Sequence, residues 1–250
     1  MIKYVATLFF EVAFLYNKYG CDIMKLIVDK ITKCFDDKIV LDKLSYEFSS
    51  GKIYSVVGRN GVGKTTLFNI IDNCITKDSG DIVLDINGNK IKSLDDRISY
   101  VKQEDNLPLF LTPMELMKFY CNINKIDKDI NYYFDILDVD KRDRNKIIKD
   151  LSVGNRAKIN MIIGIINSCD VLLLDDPLIS LDILSQEKVK KLIKEVSKKS
   201  IVIITTHILD IAIELSDEIL LLDNKKLVKI NKTDKDYKKI IIKSLEKTYD

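Results

Sequence analysis

The sequence is short of the features that mark a specialised surface or scaffold. It has a single histidine, a near balance of 40 basic and 38 acidic residues, and five scattered cysteines. It also lacks any apolar run of the roughly 18 to 20 residues that a bilayer span needs. Each shortage excludes something. A formal charge of +2 gives no general attraction to nucleic acid or to an anionic membrane. Cys21, Cys34, Cys74, Cys121 and Cys169 are odd in number and form no CxxC pair. That pattern argues against a disulfide framework or zinc knuckle and for a reducing cytoplasm. The most apolar stretch, Tyr4 to Tyr16, is broken by Glu11 and lacks the flanks of a secretory signal. The chain is therefore not expected to cross a membrane itself.

What is present is an alternation of short β-branched runs with helical patterns, the mark of an α/β protein with a mostly parallel sheet. Ile53 to Val57, Val171 to Leu174, Ile201 to Thr205 and Ile219 to Leu222 are almost wholly apolar, as strands covered on both faces must be. Helices are expected at 64–73, 185–198 and 209–215. The block from about 111 to 168 has helical patterns and no convincing strand, including Met114 to Cys121 behind Pro113, and reads as an inserted helical subdomain. Met24 opens MKLIVDKITKCF, a first strand. Residues 1–23 then read as an appended amphipathic helix or as translated sequence upstream of the true start, 24–230 as the folded domain, and 231–250 as a Lys-rich helical tail.

One segment carries chemistry by itself. Gly58, Arg59, Asn60, Gly61, Val62, Gly63, Lys64, Thr65 and Thr66 fit GxxxxGK[ST], follow an apolar strand and open a helix. Glycines let successive amides aim at phosphate oxygens, and the helix that follows adds the positive end of its dipole. Lys64 then lies along the β- and γ-phosphates, and Thr65 offers a hydroxyl to Mg²⁺. Asp175 and Asp176 end a buried strand at the sheet edge where ligands bind in open α/β folds. His207 follows another strand at the same edge, although a lone histidine is most often structural. These residues leave ATPase, GTPase and kinase open.

Taken in order, the motifs resemble those of the nucleotide-binding subunit of an ATP-binding cassette (ABC) transporter, from about Lys25 through Ile230. The Gly58 to Thr66 loop resembles Walker A, Gln103 the Q-loop glutamine, and Leu151-Ser152-Val153-Gly154-Asn155-Arg156 the signature LSGGQ. Val171 to Asp176 resembles Walker B, Ser180-Leu181-Asp182 the D-loop, and His207 the switch histidine. Phe35 stands where the family stacks an aromatic on adenine, or is a core aromatic. The resemblance implies a P-loop NTPase fold with an antiparallel β subdomain and an inserted helical subdomain. It implies ATP and Mg²⁺ as ligands, with Asp175, Thr65 and Gln103 toward the metal, and Asp176, His207, Gln103 and Lys64 toward the chemistry. Ser152, Gly154 and Asp182 would meet nucleotide across a head-to-tail homo- or heterodimer. The subunit would sit on the cytoplasmic face of the membrane, bound to a separate polytopic subunit and to no nucleic acid. Leu111-Thr-Pro-Met-Glu115 resembles exporters.

The sequence departs from the family pattern in two places. Asp176 replaces the usual glutamate, which suggests slow hydrolysis or a non-hydrolysing regulatory cassette, and Val153 and Asn155 replace a glycine and a glutamine of the signature. A soluble ABC ATPase is a further alternative, though it would normally carry two cassettes. A GTPase reading from Asp85-Ile-Asn-Gly88 and Asn124-Lys-Ile-Asp127 fails, because the first reads as a hairpin turn and the second follows a helix.

Overall fold

The computed structural model describes residues 23–126, 129–167, 170–234 and 236–246. The expectations for residues 1–22, and for Asp127 and Cys169, lie outside the described residues. In chain order the strands are β1 (Met24–Phe35), β2 (Lys38–Ser49), β3 (Ile53–Val57), β4 (Ser79–Ile86), β5 (Asn89–Ile91), β6 (Ile98–Val101), β7 (Val171–Asp175), β8 (Ile201–Thr206), β9 (Glu218–Asp223) and β10 (Lys226–Ile230). The helices are α1 (Lys64–Ile71), α2 (Pro113–Ile123), α3 (Ile130–Ile136), α4 (Val153–Ile166), α5 (Ile183–Ser197), α6 (Leu209–Leu215) and α7 (Tyr237–Glu246).

Two sheets result. The larger runs β10-β9-β3-β8-β7-β6, parallel throughout except for β10. The smaller, β2-β1-β4-β5, is antiparallel. Every residue of β3, β7 and β8 is buried, and the twofold alternation of a strand assigns their side chains to two separate cores. Val171, Leu173, Ile201 and Ile203 join Leu26, Phe48, Leu67 and Phe68 between the two sheets and α1. Leu172, Leu174, Val202 and Ile204 join Met117, Phe134, Ile159 and Val189 from α2 to α5. Among the described residues between β6 and β7 there is no strand, only α2, α3, α4 and two 3-10 turns.

Local sequence explains the element ends. The β4–β5 turn has Asn87 and Gly88 at φ 53° and 88°, as a two-residue hairpin turn requires. Thr112 and Glu115 form a reciprocal capping box with Pro113 in the first turn of α2, so Leu111-Thr-Pro-Met-Glu115 is a helix start.

The two sheets are fastened at one corner. Tyr46, Phe48 and Tyr54 make edge and tilted ring contacts at centroid distances of 4.8 to 6.1 Å. The Glu218 carboxylate accepts a hydrogen bond from Tyr46 at 2.7 Å and pairs with Lys52 at 2.8 Å and Lys229 at 2.7 Å. Burial pushes the Glu218 carboxyl up, but the bonds from Lys229, Lys52 and Tyr46 outweigh it and hold the group at about 2. A carboxyl depressed in the folded state stabilises above its unfolded value of about 4.5 and loses that contribution as pH falls toward 2. Glu218→Gln should therefore cost about 1 kcal/mol at pH 7, allowing for solvent screening. Urea unfolding of both proteins should find this gap shrinking below pH 4.5. A gap that stays constant from pH 7 to 2.5 would reject the assignment.

Candidate active site

Strand register brings the site together. Val57 of β3 lies level with Thr206 of β8, and Asp175 of β7 lies level with Thr205. Val101 of β6 lies level with Leu174, so Gln103 emerges beside Asp176. Four strands thus end flush. The loops that leave them enclose a cleft of about 290 Å³ lined by Asn60, Gly61, Gly63, Lys64, Thr65, Thr66, Gln103, Asp175, Asp176 and His207.

On one wall is the glycine loop. Gly63 has φ 115°, and an added Cβ would come within 2.8 Å of Val40 Cγ1, so both backbone and space demand glycine there. Gly63 also serves as the N-cap of α1 and supplies no side-chain acceptor to the first turn. The caps of α2, α4 and α5, in contrast, are filled by Thr112, Ser152 and Asp182. The α1 amides that open on the cleft are consequently free of side-chain capping and suited to an anion. Lys64 is buried and donates to the carbonyls of Gly58 at 2.7 Å and Arg59 at 3.0 Å. Burial lowers its pKa, against the opposing pull of Asp176 and Asp175.

Opposite the loop, Asp175 is gripped by three hydroxyls. Thr65 donates to Oδ2 at 2.8 Å, Tyr100 donates to the same oxygen at 3.2 Å, and Thr205 donates to Oδ1. Burial, reinforced by the Asp175 charge, pushes the Tyr100 hydroxyl above its ordinary value, so it remains a donor. Asp176 has φ 46°, a left-handed conformation that Asp tolerates better than most residues. Its amide donates to the Thr205 carbonyl at 3.1 Å, and its oxygens lie 3.2 and 3.3 Å from His207 Nδ1. The lone histidine therefore meets a carboxylate in the cleft.

Other candidates lie elsewhere. Phe35 closes the β1–β2 hairpin half exposed, with Lys33 Nζ 5.1 Å from its ring, so it is no core aromatic. Ser152 caps α4 by accepting from the Asn155 amide at 3.2 Å, and Asn155 spends its side chain on Asp143 at 2.6 Å. Neither Ser152 nor Gly154 lines the cleft. Asp182 caps α5 by accepting from the Ser185 hydroxyl at 2.6 Å and the Ser185 amide at 2.9 Å, and these bonds hold its carboxyl below the usual range. Tyr100 and Thr205 are the site residues that sequence reasoning missed. A Thr-Thr pair ending the otherwise apolar β8 was the available signal.

Residues 41–179 match the ABC transporter family. The chain is 31% identical over 214 residues to an ABC transporter ATP-binding protein of Methanocaldococcus jannaschii, covering 83% of this chain and 78% of that one. The chain belongs to the ABC transporter family. This cassette is also 32% identical over 215 residues to the petrobactin import ATP-binding protein of Bacillus subtilis, covering 81% and 84% of the two chains. In fold, the cassette resembles a dimeric ATP-binding cassette in a post-hydrolysis state bound to ADP and phosphate. The TM-score is 0.68 at 23% identity, over 81% of this chain and 96% of that one.

Proposed function

We propose that this cassette binds Mg-ATP in the cleft, hydrolyses it slowly, and thereby drives a transporter through a separate membrane subunit. The observation that carries the reading is the convergence on one cleft of an uncapped helix N-terminus, Lys64, two strand-end carboxylates and His207. Anion recognition needs the first two, and cleavage of a phosphoanhydride needs the rest.

The residues present fit a hard divalent ion. A carboxylate fixed by three hydroxyls, with the Thr65 hydroxyl beside it, supplies the one or two protein oxygens that Mg²⁺ takes while phosphates and waters fill its remaining positions. When bound, the ion would neutralise charge on the phosphate oxygens. Lys64 and the α1 amides hold the phosphate chain and spread its charge. Asp176 accepts a hydrogen bond from the attacking water. As the water oxygen bonds to the γ-phosphorus, the bond to the β–γ bridging oxygen breaks and the water's proton leaves toward Asp176 or a phosphate oxygen. His207 orients Asp176 from its far side.

Ser152 and the N-terminus of α4 do not line this cleft, which supports a head-to-tail dimer in which each signature segment meets the partner's nucleotide. Among the described residues no helix is long and apolar enough to cross a membrane. That agrees with a peripheral place on the cytoplasmic face, beside a membrane subunit. The segment that suggested export is a capping box, and the petrobactin relative acts in import, so the proposal concerns only the ATP cycle that both directions share.

The contact between Asp176 and His207 favours one other reading, a cassette that binds ATP without cleaving it. A single-turnover assay with γ-labelled Mg-ATP decides between them. Labelled phosphate should be released slowly but well above the background of the Lys64→Ala variant. Stoichiometric binding with no release would leave only the binding role.

A further inference from the structure

Helix α4 carries Ser152 at its tip, and one face of it touches the segment that carries Gln103 at three points. Arg156 Nε donates to Asp105 Oδ2 at 3.1 Å. One turn on, Asn160 Nδ2 donates to the Lys102 carbonyl at 3.3 Å. Two turns on, Gly164 accepts from Ser99 Oγ at 2.9 Å, and a Cβ there would fall 2.1 Å from Val101 Cγ2. Residues 156, 160 and 164 share a helix face, and their partners run back along residues 105, 102 and 99 to 101, so the helix and the segment lie antiparallel. The approach at Gly164 is close, and any side chain there would have to displace Val101. The contact nearest both functional groups is the ion pair, in which Arg156 also donates to the Leu151 carbonyl beside Ser152 at 3.3 Å.

We infer that Arg156 and Asp105 are positioning residues that lock the Ser152 helix tip and the Gln103 segment into one unit, so that a displacement of either is carried to the other. Resting on the ATP reading above, this gives the pair a task. Gln103 lines this subunit's own cleft, whereas Ser152 does not, and the pair links occupancy of one site to the placement of the group that completes the other. With only 25% and 18% of their side chains exposed, Arg156 and Asp105 form a largely buried pair whose loss lowers stability, so the single variants keep polar groups of similar size at both positions and circular dichroism checks that each variant is folded.

The test uses the full chain with Asp105→Asn, Arg156→Gln and the exchanged pair Asp105→Arg with Arg156→Asp. Hydrogen exchange should accelerate at residues 103–106 and 152–156 together in either single variant, remain unchanged in α1, and return toward wild type in the exchanged pair. In the same single variants the turnover number should fall about tenfold, with nucleotide affinity held within about twofold. Exchange that rises in only one of the two segments, or in neither, overturns the inference. So does an exchanged pair that restores nothing, because the residues then act separately. Hydrogen exchange needs no hydrolysis, so a chain that fails to cleave ATP would refute the ATPase reading while leaving this result decisive.

Discussion

Replacing Lys64 by alanine should weaken nucleotide binding by about a hundredfold, or about 3 kcal/mol, and reduce turnover to background. Among the described residues, Lys64 is the only lysine or arginine lining the cleft, and two carboxylates share the space with it. Its ammonium is buried and pre-aimed by the Gly58 and Arg59 carbonyls, so it meets a phosphate with its geometry already set. Without it, Asp175 and Asp176 would repel the phosphate chain in a partly desolvated cleft. Alanine is the best helix former, so α1 and the fold should persist. Titration with a fluorescent ATP analogue, with circular dichroism as a folding control, checks this directly. A variant that keeps affinity within threefold would remove the foundation of the proposed function.

The second large effect is a gain. Asp176→Glu should raise the single-turnover rate by up to about a hundredfold, because the longer side chain extends the carboxylate by about 1.5 Å toward the phosphate, and errors near 1 Å are worth about that factor. In wild type the carboxylate stays close to the sheet edge and within hydrogen-bond distance of His207. The same substitution should lower stability. Asp176 sits at φ 46°, and Glu lacks the tolerance for left-handed backbone that Asp has, which should cost about 1 kcal/mol. The signature of this assignment is a variant that is faster and melts earlier. A Glu variant no faster than wild type would show that the carboxylate's reach does not limit the reaction.

Much of the fold was legible because burial on both faces leaves an all-apolar record. The run Ile53 to Val57 matches β3 residue for residue, and β7 and β8 each extend the predicted run by one. β9 extends to Glu218 and Asp223, polar residues that pattern reading gives to loops, because Glu218 fastens the two sheets. Helix α1 stops at Ile71, short of the predicted 73, since Asn73 turns left-handed at φ 58°. Helix α5 starts at Ile183, two residues before the predicted 185, because Asp182 caps it. The spacing Asp182-x-x-Ser185 was a visible N-cap pattern. At the site, the glycine loop, Asp175 and Asp176 stood out because each sits at the end of a recognisable strand, whereas Gln103 and His207 were singled out by the resemblance to the family's motifs. Tyr100 and Thr205 did not, because a hydroxyl inside a strand looks the same in sequence whether it grips a carboxylate or merely fills space.

The flush ending of β3, β8, β7 and β6 has a consequence for where damage can originate. A one-residue slip of β8 against β7 would carry His207 about 3.3 Å along the sheet and turn Thr205 onto the opposite face, away from Asp175. The spacing of the reacting groups is thus inherited from hydrophobic contacts among residues such as Leu173, Ile203 and Val56, none of which lines the cleft. Enlarging or shrinking those side chains can disable the chemistry in a protein that still folds, so a screen for inactive variants should recover deep interior positions as well as the cleft.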